Sequence, residues 1–246
     1  MPMEPESTPM TRGDTDADGA GPRLRRDQPG LLTVAVGPVG RFDDRAVRTL
    51  SGLARIGREL TGDIRVVVLE LAESNASTTD SASGEDRDPV LAGYQEGVAW
   101  LRRADVVSVA TARGPLTGVA VELALCCDLR LLGVEASLTL TGARTGGAPL
   151  LGATGRLVDL VGAARATELC LTGRTVGAAE AERIGLVSRV VPGTELEVAT
   201  DALVAGLLAA DRVALTETKA LLNHTLRDQL AAERESFARR ARPDAG

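Results

Sequence analysis

The sequence predicts an α/β protein with a helical C-terminal region. Three observations carry this reading. Strand and helix signals alternate as far as Pro192, the runs LLTVAV and RVVVLEL have the composition of buried strands, and no strand signal follows Pro192. In chain order, LLTVAV (31–36) is the first strand. In the next segment, 43–60, Val47, Leu50, Leu53, Ile56 and Leu60 recur at helical spacing. RVVVLEL (65–71) is a strand covered on both faces, and the polar, small-residue stretch 73–88 is a surface loop. Helical spacing resumes over 89–105 through Leu91, Tyr94, Val98 and Leu101.

The centre, 106–133, reads as strand VVSVATA, turn RGPLTG, a buried helix VAVELALCC, and a further strand DLRLLG. SLTLT (137–141) is a short strand that leads into a Gly/Pro loop. One continuous helix is expected from Arg156 to Leu171, a short helix over 178–185, and a last strand, LVSRVV, over 186–191. Two helices close the chain, the second with charges at i,i+4 spacing. Residues 1–28 are expected to be a disordered tail, because Pro, Gly, Thr, Asp and Glu there cannot bury enough surface to offset ordering entropy. Residues 29–195 form the core and 196–246 the C-terminal helical region.

Composition excludes several classes of function. The chain of 246 residues has 34 acidic against 28 basic side chains and a net charge of −6, and its four aromatics cannot form a base-stacking platform. Nucleic acid is therefore not an expected partner. No apolar run reaches the roughly 18 to 20 residues of a membrane span, and the acidic N-terminal stretch is unlike a signal peptide, so a cytoplasmic protein is expected. Cys126, Cys127 and Cys170 sit in apolar runs, which suits a reducing compartment. The single histidine, His224, argues against a metal site built on histidines and against a serine-histidine triad.

Four ordered motifs then become informative. They are Gly114 to Gly118 leading into ELALCCDLR, the VGAARA block at Val161 to Ala166, LTGR at Leu171 to Arg174, and IGLVSRVVP. With TETKALLN they give a chain that resembles the crotonase superfamily, the enoyl-CoA hydratase/isomerase family, from about Gln28 to Arg240. The resemblance implies a spiral core of repeated ββα turns and a helical C-terminal region that packs homotrimers or dimers of trimers. It also implies an acyl-CoA thioester as substrate or ligand, with no further cofactor and no metal. In such proteins two backbone N–H groups form an oxyanion hole for the thioester carbonyl, and a helix N-terminus supplies such donors together with the positive end of its dipole.

Carried over by position, Val119 supplies one oxyanion donor where many members have glycine, and Gly118 lies in the same ligand-binding turn. The stretch Ala82 to Asp86 resembles the segment that provides the other donor, which nominates the Glu85 N–H. Glu122 matches the first of two glutamates that carry acid/base work in family hydratases. An ungapped count puts the second at Gly142, which has no side chain to donate anything. Lys219, the chain's only lysine, stands where the resemblance puts a cation near the CoA nucleotide, and an exposed helix charge is its other reading. Glu122 also has a second reading, as an acid that stabilises the helix dipole by about 0.3 to 1 kcal/mol. The functional expectation is an acyl-CoA-binding lyase or isomerase that stabilises an enolate. A non-catalytic acyl-CoA- or protein-binding auxiliary homologue is the alternative.

Overall fold

A computed structural model of the chain describes residues 21–40, 42–74, 88–146 and 149–223. The expected alternation is present. Strands β1 (Arg23–Arg25) and β2 (Leu31–Val36) precede helix α1 (Asp44–Glu59), β3 (Val66–Leu71) and α2 (Asp88–Ala99). The centre holds β4 (Val107–Ala112), β5 (Leu116–Thr117), α3 (Val119–Cys126), β6 (Leu129–Gly133) and β7 (Ser137–Thr139). Then come α4 (Ala153–Val161), α5 (Ala163–Thr172), β8 (Thr175–Gly177), α6 (Ala178–Arg183), β9 (Arg189–Val191), α7 (Leu196–Ala209) and α8 (Arg212–Leu222).

The strands make two walls. A six-stranded sheet has the order β1-β2-β3-β4-β6-β9, parallel except for β1, and a three-stranded sheet has the order β5-β7-β8. Each central turn of chain contributes one strand to each wall before a helix, as β4-β5-α3 does, which is the ββα spiral. Strand parity explains why both faces of the large sheet are apolar. In β3, Val67, Leu69 and Leu71 enter the main core, while Val66 and Val68 join Leu31, Val109 and Leu131 against Leu196 and Val204 of α7. Helix α1 buries Leu50, Leu53 and Ile56, and its N-cap Asp43 accepts from the Arg45 and Ala46 N–H groups.

Four differences from the sequence reading have local causes. The expected helix over 156–171 is two helices, because Gly162 at φ 78° breaks the ladder between α4 and α5. The expected tail reaches residue 28, yet Arg23–Arg25 pair antiparallel with β2, and Arg25 donates to Glu70 at 2.8 Å. Three exposed residues carry no hydrophobic pattern, so only the pairing reveals the strand. Strand β8, hidden in RTVG, is visible only through its pairing with β7. The last strand is shortened to Arg189–Val191, since Leu186 and Val187 turn into the main core.

Helix α3 is the centre of the molecule: all eight of its residues are buried. Its C-terminal carbonyls have no water, and Arg130 of β6, 2% exposed, supplies the donors instead. The guanidinium donates to Cys127 O at 2.7 Å, Ala124 O at 3.4 Å and Leu186 O at 2.8 Å. Burial, with Arg156 nearby, lowers the Arg130 pKa to about 10, which still leaves it a cation at the negative end of the helix dipole. Arg130→Met is expected to reduce unfolding free energy by on the order of 3 kcal/mol, since several buried carbonyls lose their partners. Urea denaturation measures this, and a loss under about 1 kcal/mol would mean that solvent replaces the guanidinium.

Candidate functional site

The head of α3 is built by a glycine. Gly118 holds φ 49°, and a Cβ there would lie 2.0 Å from the Gly40 carbonyl oxygen, so no other residue fits this turn. The turn is pinned from both sides. Ser74, at the end of β3, donates its N–H to Pro115 O at 2.8 Å and accepts the Thr117 N–H on its hydroxyl at 2.9 Å. Gly118 donates its own N–H to Thr139 O at 3.1 Å. That donor is spent on the fold, so Gly118 shapes the turn and does not itself hold a ligand through its N–H.

The next two N–H groups part company. Ala120 donates to Val39 O at 2.9 Å, whereas the Val119 N–H has no backbone acceptor among the described residues. It lies at the positive end of α3, the position from which the sequence reading nominated it. The Val119 side chain is buried, 4% exposed. Glu85, nominated for the other donor, lies outside the described residues, as does His224.

One turn into the helix, Glu122 is 6% exposed, and its Oε2 accepts the Leu150 and Leu151 N–H groups, the latter at 2.8 Å. Two charge-assisted bonds to one oxygen compensate a buried anion and fix its rotamer. The sequence reading did not find this anchor, because residues 150 and 151 lie in the Gly/Pro loop that precedes α4.

Gly142 opens a 3₁₀ turn, Gly142–Arg144, and the neighbouring Thr141 hydroxyl lies 3.3 Å from where a Gly118 Cβ would be. That turn therefore flanks the head of α3 and brings no carboxylate at Gly142. The cysteines are placed in packing roles. Cys126 and Cys127 are buried, and desolvation, the largest cause, pushes the Cys127 thiol far up. Arg102 approaches Cys126 Sγ at 3.5 Å, a cation that sequence proximity did not reveal.

Lys219 is a correction to the sequence reading. It is 7% exposed, and its ammonium donates to Leu101 O, to Val106 O and to Asp128 Oδ2, the last at 2.6 Å. All three N–H bonds point into the protein, and none is left for a phosphate. Asp128 Oδ2 also accepts from the Ser108 N–H and hydroxyl, at 2.8 and 3.0 Å. Burial holds the ammonium below its ordinary value, against the pull of Asp128. The residue closes α8 over the far end of α3.

Residues 64–240 match the family model for enoyl-CoA hydratase/isomerase. The "Probable enoyl-CoA hydratase echA8" of Mycobacterium leprae is 36% identical over 135 residues, 54% of this chain and 52% of the relative. Methylglutaconyl-CoA hydratase 1 of Pyricularia oryzae is 37% identical over 138 residues, 54% of this chain and 40% of the relative. The chain thus spans about half the length of these curated relatives, or less. Among solved structures, a "putative enoyl-CoA hydratase" from Thermobifida fusca YX in complex with acetoacetyl-CoA superposes with a TM-score of 0.73 at 38% identity. That match covers 90% of this chain and 93% of the other. No described helix is long and apolar enough to cross a membrane.

Lys219→Ala is expected to destabilise the fold by about 3 to 5 kcal/mol, because Asp128 is left in a half-closed site without its partner. Asp128→Asn in the same chain should recover part of that loss. If urea unfolding shows no change for Lys219→Ala, while calorimetry shows CoA affinity falling steeply at low salt, the cation serves a phosphate after all.

Proposed function

As the chain belongs to the enoyl-CoA hydratase/isomerase family of the crotonase superfamily, we propose that it binds an acyl-CoA thioester and stabilises the derived enolate at the head of α3. The observation that carries this reading is the Val119 N–H, without a backbone acceptor among the described residues at the positive end of a buried helix, one turn from the anchored carboxylate of Glu122. An enolate oxygen takes a hydrogen bond there that strengthens as charge develops, in a site that excludes water. Glu122 then moves the proton at the α-carbon. The Glu85 N–H is the proposed second donor.

Of the two positions matched to the family's glutamates, only that of Glu122 holds an acid. Adding water to an enoyl thioester needs one group to orient and deprotonate the water and another to protonate carbon. Gly142 provides neither. The chemistry favoured is therefore a reaction that one carboxylate can serve: isomerisation, or loss of a leaving group that the substrate carries. A second reading, an auxiliary protein that holds acyl-CoA without turnover, is favoured by the β-branched Val119 beside the oxyanion position, where glycine would leave more room. We further propose a homotrimer or dimer of trimers. Val198, Val213, Leu221 and Leu222 on α7 and α8 are 63% to 74% exposed and call for a covering surface. Three cysteines set in apolar runs fit a cytoplasmic setting.

Hydration of crotonyl-CoA, followed by loss of the enoyl absorbance, is expected to be about 10² to 10⁴ slower than a two-carboxylate mechanism allows, and Gly142→Glu should raise it. Glu122→Gln should reduce exchange of the α-hydrogen of butyryl-CoA with deuterated water by a similar factor, read by NMR. Binding of butyryl-CoA without exchange in the unsubstituted chain would establish the auxiliary role. Light scattering should find trimers or hexamers, and a stable monomer at micromolar concentration would refute the proposed assembly.

A further inference from the structure

Helix α2 lies far from Glu122 in sequence, yet one of its side chains reaches the carboxylate through a single peptide group. The Leu150 carbonyl and the Leu151 N–H belong to the same peptide unit. Gln95 Nε2 donates to that carbonyl at 2.7 Å, and the N–H of the unit donates to Glu122 Oε2 at 2.8 Å. Gln95 is 3% exposed and Leu151 1%, so water does not compete for either bond. Donation to a peptide oxygen draws electron density from the amide and makes its N–H a stronger donor, by about 10–30% per bond.

The rest of this segment is held by other groups. Arg102 donates to Leu151 O at 3.1 Å and Gly152 O at 3.5 Å, and Cys126 Sγ approaches Leu151 O at 3.4 Å. These contacts hold the following peptides, the Leu150 N–H also donates to Glu122 Oε2, and Gln95 holds the carbonyl of the 150–151 unit. Rotation of the plane of that unit would carry the Leu151 N–H off the carboxylate.

We propose that Gln95 is a positioning residue for Glu122, acting through the 150–151 peptide to set where the carboxylate points at the substrate α-carbon. This rests on the acid/base reading of Glu122. An ordinary packing role for Gln95 would be indifferent to what stands at position 122. A positioning role is not, and that difference is measurable.

The experiment compares Gln95→Met, which keeps the length of the side chain and removes the donor, with the unsubstituted chain and with Glu122→Gln, singly and together. The rate of butyryl-CoA α-hydrogen exchange is measured against substrate concentration, with Gln95→Glu as a second variant should Gln95→Met fold poorly. In the unsubstituted background Gln95→Met should lower kcat about tenfold to a hundredfold, the scale of a misplacement near 1 Å, with KM changed less than twofold. In the Glu122→Gln background the same substitution should cost nothing further. An equal loss in both backgrounds, or a higher KM at constant kcat, overturns the proposal. Glu122→Gln with full exchange would instead overturn the acid/base reading itself. A readout independent of turnover is the Leu151 amide proton in selectively labelled protein. It should move upfield and exchange faster with solvent in Gln95→Met, and an unchanged resonance also overturns the proposal.

Discussion

The complete burial of α3 is the constraint on which the rest of the structure depends. A helix leaves unpaired N–H groups at one end and carbonyls at the other, and in water the solvent satisfies them. Here all eight residues are buried, so each end must be served by the protein. At the C-terminal end the Arg130 guanidinium collects carbonyls from the helix and from the turn at Leu186. At the other end, Val39 O takes the Ala120 N–H and Thr139 O takes that of Gly118. The Val119 N–H has no backbone acceptor among the described residues.

The same constraint gives the C-terminal region its attachment. Asp128, just beyond α3, gathers Ser108 of β4 and Lys219 of α8, while Lys219 also reaches the carbonyls of Leu101 and Val106. One buried ion pair therefore joins three segments that the chain visits far apart. Asn223 adds a bond to Arg102 O at 2.9 Å, and Arg102 in turn holds the carbonyls of Leu151 and Gly152. The helix that closes the described chain is in this way linked to the loop that anchors Glu122. That linkage runs through packed polar groups whose geometry has little freedom.

At the head of α3 the described residues bring together an anchored carboxylate, Glu122, and the backbone N–H of Val119. Thr141 and Gly142 flank the helix head, and the acid that a second proton transfer would require is absent at Gly142. Glu122 Oε2 is held by peptide N–H groups on a loop, so its orientation depends on the geometry of that loop.

The alternation of strands and helices was legible because it is local: side-chain period 2 or 3.6 and continuous apolar runs need no knowledge of partners. Helix α1, the doubly covered β3 and the buried α3 were all readable in this way. So was the candidate acid, since Glu122 stands among apolar residues in a segment whose motif is contiguous, and the absence of an acid at Gly142 is a matter of counting. What only the tertiary structure decided involves pairs distant in the chain. Strands β1 and β8 exist through pairing and not through pattern. Lys219 reads in sequence as a surface cation, and its meeting with Asp128 across 91 positions made it an interior one. Gln95 gave no signal, because its partner is a backbone carbonyl 55 residues away and a backbone carries no letter in the sequence. Composition and periodicity determine which faces must be buried; which polar groups meet once they are buried is settled by packing in three dimensions.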